Sequence, residues 1–528
     1  METLVDLFRR LDQLNDIGTS LSSERNISLL LEKIVIAAKQ ITRADGGTLY
    51  LLSDDRRHLH FEIVRTNSLC LAFGGASGMP TSGKFPDLPL YRDDGAPNDG
   101  MVAAYAAITG NTVNIADAYR AEGFDFSGTR QFDSRTGYRS QSFLTVPMKD
   151  HEGEIIGVLQ LINALNPTSG AVTEFSPADQ RLAESLASQA AIALSNRRLV
   201  EQLEALFESF IKLINLAIDE KSPYTGGHCQ RVPELTMMLA EAADATREGP
   251  LADFKLTDKD RYELRIAALL HDCGKVTTPV HVVDKATKLQ TIYDRIHLID
   301  TRFEVVRRDA EIRQWKRIAE GAAPVDAERD YREFCEKVLV DRAILRRANI
   351  GSEKMSDEDI AHVRRIAVAY RWQNPDGEDV PFLTADELEN LSIRAGTLTR
   401  AERDIINHHI VASIRMLEQL PWPRHLRNVP EYAGGHHERM DGKGYPKGLK
   451  REDMSWQARI MGIADIFEAL TAKDRPYKDG KQLSDALAIL DRFSQNGHID
   501  PDLHAVFVEG EVFRRYAERF LEGRQIDC

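Results

Sequence analysis

The pattern of apolar residues changes character once along this chain, near Pro223, and that change limits the folds open to it. Before it, short runs read as strands: Gly46–Leu52, His60–Val64, Ser142–Met148 and Ile155–Ile162. Lys149-Asp150-His151-Glu152-Gly153 supplies polar turn residues between the last two, a hairpin signal. Residues 4–21, with Leu4, Leu7, Leu11, Leu14 and Leu21, and the stretch from Ile27 to Ile41 carry helical spacing. Helices packed on an antiparallel sheet predict an α+β domain over about residues 10–175. After Pro223 strand signals nearly vanish. Helical periodicity there predicts an all-α bundle over 221–520, with a charged helical insertion at about 285–400. Breaks in the insertion are expected near Gly321-Ala322-Ala323-Pro324 and Asn374-Pro375-Asp376-Gly377.

Between the two halves a long linker helix is expected over 176–220. Ser176 can cap it, and Pro177 suits its first turn. Leu199, Leu203, Leu206, Phe210, Leu213 and Ala217 follow one another at spacings of 4, 3, 4, 3 and 4, a coiled-coil seam. The preferred reading is a parallel homodimer through these helices. The alternative is an ordinary amphipathic helix packed on its own domain.

A length of 528 residues implies two or three domains. The net charge of −14 argues against polymeric nucleic acid as a partner, because that binding needs an excess of Lys and Arg. A small nucleotide needs only a local basic pocket. No apolar run approaches the ~20 residues of a membrane span, and the first residues lack a signal-peptide pattern. The five cysteines are scattered and never in CxxC spacing, so reduced thiols in a cytoplasmic protein are expected. Cys229 and Cys273 neighbour candidate ligands but read as packing residues.

Two histidine clusters carry the chemistry. His271-Asp272-Cys273-Gly274-Lys275 pairs an imidazole with a carboxylate beside a lysine, and Gly434-Gly435-His436-His437-Glu438 leads into the glycine-rich Asp441-Gly442-Lys443-Gly444-Tyr445-Pro446. His228, His409 and an acidic residue in Ile463-Ala464-Asp465-Ile466-Phe467-Glu468 can join them if the bundle folds as expected. Asp465 and the His271-Asp272 pair lie in strongly apolar surroundings, where a carboxylate must be paired or metal-bound. Imidazoles with carboxylates form a mixed N/O set that favours iron, manganese or zinc over calcium or magnesium. One carboxylate bridging two such ions would give a nucleophile at neutral pH and a stabiliser of phosphate charge.

His271-Asp272-x-Gly274-Lys275 followed by His436-His437-Glu438-x-x-Asp441-Gly442-x-Gly444-Tyr445-Pro446 resembles the HD-GYP family of bacterial cyclic di-GMP phosphodiesterases, within the HD phosphohydrolase superfamily. The resemblance covers about 205–520. It implies an HD-type helical bundle and hydrolysis of cyclic di-GMP to pGpG or GMP. It also implies two divalent transition-metal ions, iron or manganese first, with zinc or nickel as alternatives. Carried over by position, the metal ligands are His228, His271, Asp272, His409, His436, His437 and Asp465, with Asp272 as the bridge and His408 a neighbouring decoy. Asp272 and Lys275 are the catalytic pair. Lys275, Arg475 and Lys478 are implied to contact substrate phosphate, and Tyr445 to offer its ring to a guanine or serve protein contacts. Tyr224 stands where some members have a glutamate for a third ion, which favours two ions. After Lys275 the chain departs from the family's Ile-Pro-Asp run, with Val276-Thr277-Thr278-Pro279-Val280-His281 and the insertion, which leaves the ligands intact and reshapes the opening.

The order of elements in 10–175 resembles a GAF domain, a sensor of small molecules. Phe132–Arg139, the hairpin and Gly157–Asn163 are similar to cyclic-nucleotide-binding members. Those carry Asn-Lys … Phe-x-x-x-Asp-Glu where this chain has Asn163-Ala164 … Phe175-Ser176-Pro177-Ala178-Asp179-Gln180, so their Lys–Asp ion pair cannot form. A ligand-free dimerisation module and a sensor of a cyclic nucleotide or other small ligand both stand. The expected partners are thus cyclic di-GMP, a second copy of the chain and a GGDEF-domain protein, with no membrane. A non-hydrolysing cyclic di-GMP effector and a hydrolase of another cyclic dinucleotide, such as cyclic GMP-AMP, are the alternatives.

Overall fold

A computed structural model describes residues 4–24, 26–221, 227–351, 354–472 and 480–528. The chain divides into two compact units, Met1–Phe207 and Glu208–Cys528.

In the first unit, helices α1 (Leu4–Ser23) and α2 (Ile27–Thr42) lead into an antiparallel sheet. Its strands are β1 (Ala44–Leu52), β2 (His58–Thr66), β3 (Leu71–Phe73), β4 (Leu88–Pro89), β5 (Val113–Ile115), β6 (Phe143–Lys149), β7 (Ile155–Leu165) and β8 (Val172–Thr173). The order is β3-β2-β1-β7-β6-β5, with β4 beside β2 and β8 beside β7. The four strands expected from the sequence form its centre. The four short ones have two or three residues each, too few for a periodic signal. Between β6 and β7 the expected turn closes through Asp150, whose carbonyl accepts from Gly153 N at 3.1 Å and whose N–H donates to Glu154 O at 2.9 Å.

Strand alternation sorts the sheet's residues to two faces. Leu49, Leu51, Leu144, Val146, Leu159 and Leu161 join a core with α1, α2 and the start of α5 (Pro177–Lys221). Tyr50 and Val158 face α3 (Val102–Thr109), while Phe143 meets Phe126, just before α4 (Ser127–Thr136). Leu182, Leu186, Ala190 and Leu194 of α5 lie in the first of these cores, so the helix begins as part of the sheet domain and continues beyond it. Asp179, for which no lysine partner was expected, pairs with the buried Arg10 of α1.

Helix α5 runs 45 residues, roughly 67 Å at 1.5 Å per residue. Ser176 Oγ accepts from Asp179 N at 3.1 Å, fixing its start. Near its end Ile211 and Ile218 are buried at 2% exposure, whereas Phe210 and Leu213 of the seam stand 55% and 58% exposed. Leu199, Leu203 and Leu206 are exposed as well, so the described residues leave this seam uncovered.

The second unit is a helical bundle. It contains α6 (His228–Ala245), α7 (Asp258–Leu270), the short α8 (Val280–Val283), α9 (Ile296–Ala319), α10 (Pro324–Asn349), α11 (Asp357–Ala369), α12 (Ala385–Leu391) and α13 (Arg400–Glu418). Beyond these come α14 (Val429–Gly434), α15 (Trp456–Thr471), α16 (Leu483–Gln495), α17 (Pro501–Glu509) and α18 (Val512–Phe520). The insertion has its own core, built on Phe303, Val338, Leu345, Val363 and Phe382. Its first expected break is the turn between α9 and α10. The second is a correction to the all-helical reading: Asn374–Gly377 turns a small hairpin of β9 (Arg371–Gln373) and β10 (Asp379–Pro381). The Asn374 side chain accepts from Asp376 N at 3.0 Å and Glu378 N at 2.8 Å, a local bonding pattern that favours a turn.

Among the described residues, no helix is long and apolar enough to cross a membrane. All five cysteines are free. Burial pushes Cys229 up to about 12 and Cys273 up to about 11, which fits packing residues better than reactive thiols.

Candidate metal centre

Five helices deliver the ligand candidates to one point. His228 opens α6, His271 follows the buried end of α7, His409 lies on α13, His436 and His437 follow α14, and Asp465 projects from α15. The apolar faces of these helices are the reason for the convergence: Leu264, Ile266, Ala267 and Leu270 of α7 are buried, as are Ile460, Met461, Ile463, Ala464 and Phe467 of α15. His271, Asp272, His409 and His436 are buried with them, while His408 is exposed and takes no part.

Asp272 stands at the centre, its side chain 3% exposed. Oδ2 lies 3.1 Å from His228 Nε2 and 3.2 Å from His271 Nε2. Oδ1 faces the other way and lies 3.2 Å from His409 Nε2. Asp465 Oδ1 adds to the first side, 3.3 Å from His228 Nε2. On the second side His409 Nε2 meets His437 Nε2 at 3.2 Å. The donor atoms form two groups, His228 with His271 and Asp272, and His409 with His436 and His437, each within a 4.8 Å span.

Electrostatics divides the histidines. Burial drives His436 well below the ordinary imidazole range and His437 down to about 4, so both are neutral at pH 7, the form that binds metals. Burial also disfavours charge on His228, yet Glu468, Asp272 and Asp465 together hold it well above the usual range. Burial opposes ionisation of Asp272 and Asp465, but Lys275 with the surrounding imidazoles keeps Asp272 well below the usual carboxylate range, and His228 does the same for Asp465. The Nε2 atom of His436 is buried without a hydrogen-bond partner. An orphaned ring nitrogen among neutral imidazoles and ionised carboxylates is what a cation would satisfy. The residues fit a pair of divalent transition-metal ions.

Lys275 lies at the rim, with Nζ 2.5 Å from Asp272 Oδ2. Its turn, Cys273–Thr277, presses on α13 through Gly274, whose N–H donates to Ser413 Oγ at 2.8 Å. A Cβ on Gly274 would lie 2.0 Å from His409 O, so only glycine allows the two elements this close. The side chain of Lys221, at the end of α5, donates to the carbonyls of Lys275, at 3.3 Å, and Val276.

Tyr445 stacks on His437, with ring centroids 4.9 Å apart and planes inclined at 23°. The motif residues around it build the loop: Glu438 accepts from Lys447 N at 2.7 Å and Leu449 N at 2.9 Å, and Asp441 pairs with Arg439 at 2.8 Å. Arg475 and Lys478, like Tyr224, lie outside the described residues. Glu468 and Arg231 are the residues that sequence reasoning left without a role: Glu468 touches the centre, with Oε2 2.5 Å from His228 Nδ1, and Arg231 stands behind it, with Nη2 2.7 Å from Glu468 Oε1. Their spacing, three residues after Asp465 and three after His228, was the available signal.

Comparison with known proteins gives a GAF domain over residues 26–194 and HD domains over 225–348 and 342–503. The chain joins a GAF domain to an HD domain. HD-domain phosphohydrolases are metal-dependent. Its relatives include the 3'3'-cGAMP-specific phosphodiesterase 3 of Vibrio cholerae, 25% identical over 57% of this chain and 38% of the relative. A cyclic di-GMP phosphodiesterase of Pseudomonas aeruginosa is 36% identical over 22% of this chain and 27% of the relative. Another, of Thermotoga maritima, is 35% identical over 24% and 35% respectively. The chain thus spans between about a quarter and two fifths of the length of these relatives.

Proposed function

We propose that this chain is a metal-dependent phosphodiesterase that opens a cyclic dinucleotide, cyclic di-GMP, to pGpG or onward to GMP. The observation that carries the reading is the division of labour in Asp272, whose two oxygens face two separate histidine groups. His228, His271 and Asp465 would hold one ion, His409, His436 and His437 the other, with Asp272 shared. When bound, two such ions supply Lewis acidity and a water of lowered pKa, with iron or manganese the best fit to the donor set.

The protein's own residues supply the rest. The ammonium of Lys275, now on Asp272, is free to turn to a phosphate oxygen and neutralise charge that grows as phosphorus is attacked. Water adds to phosphorus, one P–O bond of the ring breaks, and the released oxygen takes a proton to become a sugar hydroxyl. Tyr445, on the face of His437, offers a ring edge to a base. Arg475 and Lys478 complete the phosphate contacts in this reading. The GAF domain acts as the sensor, for a cyclic nucleotide or another small ligand, and α5 carries its state to the turn of Lys275 through Lys221. The exposed seam of α5 supports a homodimer. A cytoplasmic location and a GGDEF-domain partner follow from the same reading.

A second substrate is favoured by one observation: the relative matched over the longest stretch here is named for 3'3'-cGAMP. The test sets the two against each other. Full-length protein loaded with Mn²⁺ or Fe²⁺ is incubated with cyclic di-GMP or 3'3'-cGAMP and the products are resolved, beside an Asp272→Ala control. Faster loss of cyclic di-GMP with a linear product supports the main reading. Faster loss of 3'3'-cGAMP moves the assignment to that substrate, and binding without turnover of either sinks the enzyme reading in favour of an effector.

A further inference from the structure

Three of the histidines are oriented by their own chain. Nδ1 of His271 lies 2.8 Å from Ala268 O, Nδ1 of His409 2.5 Å from Ile406 O, and Nδ1 of His436 2.6 Å from Ala433 O. Each acceptor is the carbonyl three residues back, which a preceding helical turn presents, and each leaves Nε2 free to face the centre. His228 differs in its place on its helix. It is the first residue of α6, after Gly227, so no carbonyl of its own helix stands behind its ring.

Glu468 fills that gap from another helix. Its Oε2 lies 2.5 Å from His228 Nδ1, while His228 Nε2 points to Asp272 and Asp465 at 3.1 and 3.3 Å. The other oxygen of Glu468 accepts from Arg231 Nε at 2.8 Å. The Glu468 side chain is 1% exposed, a burial that a carboxylate tolerates only when its charge is matched. The pairing is built from two helical repeats: His228 and Arg231 on α6, Asp465 and Glu468 on α15, each three residues apart on one face.

We infer that Glu468, anchored by Arg231, is a positioning residue that fixes the orientation and tautomer of His228, so that the ion position of His228 has a charged acceptor behind one of its imidazoles, whereas His271, His409 and His436 are backed by neutral carbonyls. A carboxylate behind an imidazole makes the ring a better donor to a metal than a carbonyl does. The two positions are therefore unequal, and Glu468 sets only the one that His228 and His271 share. The inference rests on the reading of these residues as a two-ion centre.

Titration of metal-free full-length protein with Co²⁺, followed by its visible absorption, tests it without reference to turnover. Wild type is expected to take up two equivalents. In Glu468→Gln, which keeps the shape and loses the charge, one equivalent weakens by about 10-fold and the other is unchanged. In Glu468→Ala the same equivalent weakens by about 100-fold, the range expected for loss of a residue behind a ligand. Two equivalents bound with wild-type affinity in both variants overturn the inference, as does equal weakening of both equivalents. Should Glu468→Ala fail to fold, Glu468→Gln decides alone. Failure of the wild type to bind Co²⁺ strikes the two-ion reading itself, a separate outcome.

Discussion

Asp272 is the side chain on which both halves of the centre depend, because its two oxygens cannot be replaced by one. Asp272→Asn keeps the size and removes the charge. It is expected to lower Co²⁺ or Mn²⁺ uptake from two equivalents to one or fewer, and turnover by at least about 10²-fold; metal analysis after dialysis, beside a product assay, checks it. Lys275→Ala should leave uptake near two equivalents and cut turnover by about 10²-fold, since its part is to meet phosphate charge. Far from the centre, Lys288 is buried against Ile393 O at 2.6 Å and Met355 Sδ at 3.2 Å. Burial lowers it from the usual 10.5 to about 8. Between pH 8 and 10.5 the unfolded chain then binds more protons than the folded one, so stability rises with pH across that window and is flat below it. Thermal melting at pH 7.5 and 9.5 should show that gain in wild type and a smaller one in Lys288→Met.

At the scale of elements, the turn Cys273–Thr277 and helix α13 are set by one close approach. Adding a methyl group at Gly274 puts it 2.0 Å from His409 O and 2.5 Å from Ser413 N, both main-chain atoms that cannot swing aside. Gly274→Ala is expected to destabilise the second unit by about 1–3 kcal/mol through overpacking. It should also weaken the ion position of His409, so a lowered melting temperature accompanied by lost metal uptake is the expected pair of results. The same turn is held from its other side by Lys221. Both ends of this small element are therefore fixed by neighbours distant in sequence. The start of α5 was legible because caps are local: Ser176 stands before Pro177, and its hydroxyl accepts from the N–H of Asp179. The hairpin of β9 and β10 was not legible, since three-residue strands carry too little alternation to separate from a break between helices.

At the scale of the whole molecule, α5 belongs by one end to the sheet domain and by the other to the helical bundle. Its seam of Leu199, Leu203, Leu206, Phe210 and Leu213 is exposed over about two heptads, an unusual apolar stripe for a lone helix. A double variant, Leu206→Glu with Leu213→Glu, should shift sedimentation from dimer towards monomer and leave the melting of the second unit close to wild type. A wild-type protein that sediments as a monomer at tens of micromolar would remove the dimer from the reading.

The sequence by itself determined the two classes of domain, the long helix between them and the identity of the histidines worth watching. Each of these is written in local terms: period two against period three and a half, a serine before a proline, an imidazole beside a carboxylate in an apolar run. Tertiary structure alone decided that Asp179 finds Arg10 as its partner and that Glu468 stands behind His228. Those are relations between residues up to 240 positions apart. No local pattern can carry them, because they come into being only when the apolar faces of separate helices close on one another.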